Sequence, residues 1–126
     1  MKIGFTGTRE GVTEQQIQAL KNIIKELEIT EFHHGDCVGA DETSHNIIKE
    51  LKPETHIVIH PPTCKDFRAY CKGNIEIKPK PYLDRNKDIV NDSEFLIAMP
   101  NGREKLHSGT WSTVRYARRL GREIRV

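Results

Sequence analysis

A chain of 126 residues, 36% hydrophobic and 30% charged, has the size of one globular domain, 1–126, and too little apolar sequence for a second core. No apolar run approaches the roughly 20 residues of a membrane span, and "MKIGFTGTRE" lacks the apolar centre of a secretory leader, so a cytoplasmic protein without membrane partners is expected. The net charge of +2 argues for neither nucleic acid nor membrane by itself, although residues 100–126 carry +5 and the remainder −3.

The first element is a short β-type run, "KIGFTG". The stretch "GVTEQQIQALKNIIKELEIT" follows, with Ile17, Leu20, Ile23, Ile24 and Leu27 at helical spacing and Thr13 with Gln16 as a capping box. The pattern then repeats: "EFHHG" reads as a strand, and "DCVGADETSHNIIKEL" puts Ala40, Ser44, Ile47, Ile48 and Leu51 on one helical face. "THIVIHPP" is a third strand, stopped by Pro61 and Pro62 because proline removes a ladder donor. Between Thr63 and Pro81 the pattern weakens to one short extended candidate, "NIEIKPKP". The rhythm resumes with a helix over "YLDRNKDIVNDS", a strand "EFLIAMP" apolar enough to be covered on both faces, a helix from Gly109 to about Leu120, and a last strand "REIRV". Alternating strands and helices predict a single Rossmann-like α/β domain, a mainly parallel sheet with helices on both faces.

In such sheets ligands sit beyond the carboxyl ends of the strands. Four loops meet that condition: "TGTRE", "HGDCVGAD", "HPP" and "NGREKLHSGT". Glycine admits close backbone approach and a helix N-terminus offers free N–H donors, so "SGT" before Trp111 suits a phosphate; the same three residues equally suit an ordinary helix cap. Arg9 is either a phosphate clamp or a solvated surface arginine. His34, Cys37, Asp41 and His45 could form a metal set, but their spacing matches no zinc pattern, and a polar loop handling ribose or phosphate accounts for them better; no metal is expected. Three cysteines, Cys37, Cys64 and Cys71, form no C-x-x-C pair and read as free thiols. Neither Ser108 beside His107 nor Cys37 near His34 makes a triad that sequence can place.

The order of "GFTGTRE", "HGDCVGAD", "YLDRNKDIVNDSEFLIAMP" and "SGTWSTVRYARRLGREIRV" resembles the SLOG superfamily of Rossmann-like nucleotide-binding domains, which includes the DNA-processing protein A family and the Lonely Guy phosphoribohydrolases, and within it the small stand-alone bacterial and phage members. The resemblance implies a ligand pocket lined by Gly7, Thr8, Arg9, Gly35, Asp36, Gly39, Arg85, Asn86, Ser108, Gly109 and Thr110; Asp41 and Pro100, at the ends of the same loops, complete the expected ligand-binding set. Arg9 and Arg85 would neutralise phosphate, Asn86 would donate to and accept from a base or ribose, and Asp36 would accept ribose hydroxyls. Against the phosphoribohydrolase motif Gly-Gly-x-Gly-Thr-x-x-Glu, Thr113 stands where the glutamate belongs, and threonine cannot serve as a carboxylate. The expectation is therefore a non-catalytic binder of a nucleotide or an ADP-ribose-like molecule, requiring no cofactor and forming a homo-oligomer, as the family often does. The alternatives are an N-glycosidase using Asp36, Asp41 or Asp84, and a single-stranded nucleic-acid binder using the basic C-terminal third.

Overall fold

The computed structural model describes residues 1–10, 12–106 and 108–126. Six strands form one sheet: β1 Lys2–Gly7, β2 Glu31–His34, β3 His56–Ile59, β4 Ile75–Glu76, β5 Phe95–Met99 and β6 Glu123–Arg125. Their order is β4-β3-β2-β1-β5-β6, and every neighbouring pair is parallel. The helices are α1 Glu14–Glu26, α2 Ala40–Leu51, α3 Tyr82–Asn91 and α4 Gly109–Arg119. None of them is long and apolar enough to cross a membrane.

Strand periodicity decides the layers. Alternate residues of β1 and β5, Ile3, Phe5, Phe95, Ile97 and Met99, join Leu20 and Ile24 of α1 and Ala40, Ile47 and Ile48 of α2 in one core. The intervening Leu96 and Ala98 meet Val90 of α3 and Trp111, Val114 and Ala117 of α4 in a second core on the other face. This two-sided burial explains why β5 is apolar at every position. The expected capping box of α1 is present: Gln16 N–H donates to Thr13 Oγ1 at 3.1 Å, and Thr13 N–H donates to Gln16 Oε1 at 3.0 Å.

The segment from Thr63 to Pro81, where periodicity fails, contributes β4 as a two-residue edge strand beside β3. The rest of it is a strap tied across the loop after β2. Val38 N–H donates to Phe67 O at 2.8 Å, and Ala69 N–H donates to Asp36 O at 2.7 Å.

The strand order also fixes where a ligand can enter. From β1 the chain moves outward through β2, β3 and β4, then crosses back to β5 on the other side of β1. The loops leaving β1 and β5 consequently diverge to opposite faces, and a crevice opens between them at the switch point.

Candidate functional site

A cavity of about 930 Å³ lies at that switch point. Of the thirteen residues expected to bind ligand, ten line it: Gly7, Thr8, Arg9, Gly35, Asp41, Arg85, Asn86, Ser108, Gly109 and Thr110. They come from the ends of β1 and β2, the first turns of α2 and α3, and the start of α4.

At the α4 entrance both readings of "SGT" hold together. Ser108 is the N-cap, its Oγ accepting from Trp111 N–H at 3.3 Å. The amides of Gly109 and Thr110 open the helix, where no acceptor exists within the helix itself, and the first turn carries no acidic side chain to occupy its positive end. Arg9 is exposed, with its guanidinium 4.4 Å from the centroid of the Phe67 ring and 5.8 Å from that of Tyr82. Among the described residues neither Arg9 nor Arg85 is in salt-bridge contact with a carboxylate.

Arg85 is 6% exposed and its charge is spread over dipoles. Nη1 donates to Gly35 O at 2.5 Å and to His60 O at 3.1 Å, Nε donates to Asn86 Oδ1 at 2.7 Å, and Nη2 has only the Cys37 sulfur at 3.8 Å. Two expectations are narrowed by these bonds. Asn86 has its acceptor engaged and keeps only its amide donors, and Arg85 offers Nη2 rather than a free bidentate fork. Gly35 is required here because a Cβ at that position would collide with the Arg85 guanidinium.

Asp41 is 6% exposed, in the first turn of α2. Its Oδ2 accepts from Cys37 N–H at 3.2 Å, while its Oδ1 is buried with no hydrogen-bond partner among the described residues. Burial pushes its carboxyl up to about 6, against the pull of the Arg85 charge. Burial likewise pushes the Cys37 thiol above its ordinary range, so this cavity-lining sulfur is held as a thiol. Two further cavity residues carry buried polar atoms without hydrogen-bond partners among the described residues, the Trp111 indole N–H and the Tyr82 hydroxyl.

Three expected residues lie outside the lining, and each has another task. Asp36 is fully buried: its carboxylate accepts from Arg68 Nε at 2.7 Å and from Cys71 N–H at 2.8 Å, which fastens the strap, so it is not free for ribose hydroxyls. Gly39 is the N-cap of α2 at φ 90, and a Cβ there would lie 2.7 Å from Thr8 O and 2.6 Å from Arg9 O; it seats α2 on the β1 loop. Pro100 uses its carbonyl to accept from Gln16 Nε2 at 3.1 Å, bracing α1. Of the proposed metal set, His34 meets His45 at 3.0 Å, but Cys37 and Asp41 face the cavity instead. The pairing of His107 with Ser108 lies outside the described residues.

The cavity also includes Phe67, Tyr82, Leu83, Lys105 and Leu106, which sequence reasoning missed. Tyr82 was within reach, standing one helical turn before Asn86 and three residues before Arg85. Phe67 carried no such signal, because long-range bonds such as Val38 N–H to Phe67 O bring the strap to the crevice.

No family model matches this sequence, and no curated protein matches it. Solved structures do. The molybdenum cofactor binding protein from the phototrophic bacterium Rippkaea orientalis superposes with a TM-score of 0.73 at 21% identity, over 98% of this chain and 75% of that one. DNA processing protein A from Streptococcus pneumoniae gives 0.71 at 20% identity, over 98% of this chain and 48% of that one. The structural-genomics target TM1055 gives 0.66 at 18% identity, over 98% and 72%. The chain shares the Rossmann-like α/β fold of these three structures. Within this fold Thr113 is 3% exposed, and its Oγ1 donates to Gly109 O at 2.8 Å inside α4. It lies outside the cavity lining and serves its own helix.

Proposed function

We propose that the chain binds a nucleotide or nucleotide-derived small molecule, ADP-ribose-like or a nucleoside phosphate, and holds it without cutting it. A phosphate would sit on the Gly109 and Thr110 amides with Arg9 as its mobile counter-charge. The base or sugar would lie deeper, among Tyr82, Arg85, Asn86 and Trp111. One observation carries the reading: three residues lining this cavity, Asp41, Tyr82 and Trp111, each bury a polar atom without a partner among the described residues. Each such atom costs about 1–3 kcal/mol unless a ligand or water satisfies it. A ligand with several hydroxyls and ring nitrogens on one side and an anion on the other matches that lining. The molybdenum cofactor binding protein is a precedent for ligand binding on this fold.

The reading that the ligand is held uncut rests on Thr113, which has no carboxylate and donates its hydroxyl to α4. The N-glycosidase reading retains one observation. Of its three candidate carboxylates, Asp36 is tied to Arg68 and Asp84 is exposed away from the lining, so only Asp41 meets the cavity, with a carboxyl near 6 where acid–base work is effective.

One experiment addresses both. Small molecules released on denaturation are identified by mass spectrometry, and nucleoside phosphates, NAD and ADP-ribose are added back in a thermal-shift panel with chromatography for free base. Binding with no base release is expected, weakened at least tenfold by Arg9→Ala. A flat panel with no released ligand overturns the binding reading; free base lost in Asp41→Asn replaces it with the glycosidase.

A further inference from the structure

His33 and His34 are adjacent on β2, and adjacent strand residues face opposite sides of the sheet. The pair therefore supplies one imidazole to each of two separate clusters. On the α2 side His34 meets His45 and Cys71; on the α3 side His33 meets His60 and Asp92. In each cluster one ligand-type atom per residue lies within 4.8 Å of the other two.

The first cluster is closed by its own hydrogen bonds. Asp36 N–H donates to His34 Nδ1 at 3.0 Å, so the ring proton sits on Nε2 and is donated to His45 Nδ1 at 3.0 Å. A metal on His34 would have to strip that proton and leave an imidazolate. Cys71 is no better a ligand, because burial and the Asp36 carboxylate push its thiol up to about 12.

The second cluster is open in the same terms. Glu31 Oε1 lies 2.7 Å from His33 Nε2 and accepts its proton, which leaves the His33 Nδ1 lone pair facing His60 Nε2 at 2.8 Å. His60 Nε2 donates the proton of that 2.8 Å bond, but His60 Nδ1 is buried with no partner among the described residues, so an ion that displaces the bond can shift the proton to Nδ1 and free the Nε2 lone pair toward the same point. Asp92, the exposed C-cap of α3, supplies a carboxylate. We propose that His33, His60 and Asp92 bind one borderline-soft divalent transition ion of the Zn²⁺, Co²⁺ or Ni²⁺ class, with Glu31 as the carboxylate that fixes the His33 ring.

Two nitrogens on a tetrahedral ion at the usual 2.0–2.1 Å lie about 3.3 Å apart, so the two rings need to open by about 0.5 Å. Two nitrogens with one oxygen suit that class over Mg²⁺ or Ca²⁺, which take oxygen sets. The carboxylate on the outer nitrogen of a ligating histidine is the usual support for such a site. Glu31, His33 and Asp92 line a second, smaller cavity that they share with Lys2 and Asn91, which gives an ion a route to the His33 ring, with His60 buried behind it. Glu31 and Asp92 together outweigh the Lys2 charge there. The ion would join β2, the end of β3 and the end of α3. His60 O also accepts from Arg85 Nη1, so the clamp would bear on the cavity's arginine.

The test uses the full chain carrying Cys64→Ser, to remove the exposed thiol, after chelator treatment. Zn²⁺ is titrated by calorimetry and Co²⁺ by its visible absorption. One ion per chain, intense four-coordinate Co²⁺ bands and a raised Tm are expected. Glu31→Ala should weaken binding by about ten- to a hundredfold. Asp92→Ala, a change at an exposed position that should leave the fold intact, should weaken it at least tenfold, and His60→Gln should abolish it. Absence of stoichiometric binding overturns the proposal, as does binding that survives Asp92→Ala and His60→Gln but is lost in His45→Ala.

Discussion

At the scale of single residues, Asp41 shows how a side chain can be costly to the fold and useful to a site. It is a nearly fully buried carboxyl with one oxygen bonded to Cys37 N–H and one bonded to nothing. Its native value of about 6 lies above the ordinary 3.8, so the folded state binds the proton more tightly than the unfolded chain. That contribution to stability is fully present below about pH 4 and is lost as pH rises through about 6. Asp41→Asn removes the ionisation and should raise stability at pH 7.5 by about 2–3 kcal/mol, with the difference from wild type vanishing near pH 4, as read from denaturant melts at both pH values. If the mutant's advantage did not depend on pH, the buried charge would not be the cause. The residue type was legible in "HGDCVGAD", but which of its two aspartates faces the cavity was not. Asp36 and Asp41 both suit a polar loop, and only their partners, Arg68 for one and a vacant edge for the other, separate them.

At the scale of elements, the strand–helix units were readable because periodicity is local, and the strap between Thr63 and Pro81 was unreadable because its order is not. It holds through contacts across more than 30 positions, Arg68 Nε and Cys71 N–H on the Asp36 carboxylate, and through a local bond from Arg68 Nη2 to Glu76 at 2.7 Å. No spacing rule anticipates an ion pair that a loop makes with another loop. Asp36 is fully buried and its arginine partner partly so, which makes this pair unlike the exposed bridges of Glu104 with Arg115 and Arg118. Arg68→Ala would leave a buried carboxylate without its cation and should cost about 3–5 kcal/mol. Because the strap also delivers Phe67 to the cavity, the same variant should gain faster amide exchange at Val38 and Ala69, whose N–H groups bond along it. Arg118→Ala, a surface control, should change stability by under about 1 kcal/mol. Equal losses in the two variants would show that the strap is not held through Asp36.

At the scale of the whole molecule, the sheet order made the site predictable in outline, since a parallel sheet that switches direction beside β1 must open a crevice there. The "SGT" turn, the β1 loop and the first turn of α3 reach that crevice from three directions, so ten of the expected residues converge without any being adjacent in sequence to more than two others. What pattern alone did not show is that the sheet also separates two histidine pairs, His34 with His45 on the α2 face and His33 with His60 on the α3 face. Burial is the leading cause that lowers all four, His60 to about 4, and for a base the sign is opposite to that of Asp41. Their contribution is present above the unfolded value near 6.5 and is lost as pH falls toward the native values. Between pH 6.5 and 4 four histidines therefore act against one aspartate, and the histidines should prevail. Tm should fall steadily from pH 7 to pH 4.5, and His45→Gln combined with His60→Gln should flatten that slope even though it lowers Tm at pH 7. A double variant retaining the wild-type acid slope would locate the acid sensitivity elsewhere, because removing two of the four rings must remove part of the proton uptake that drives it.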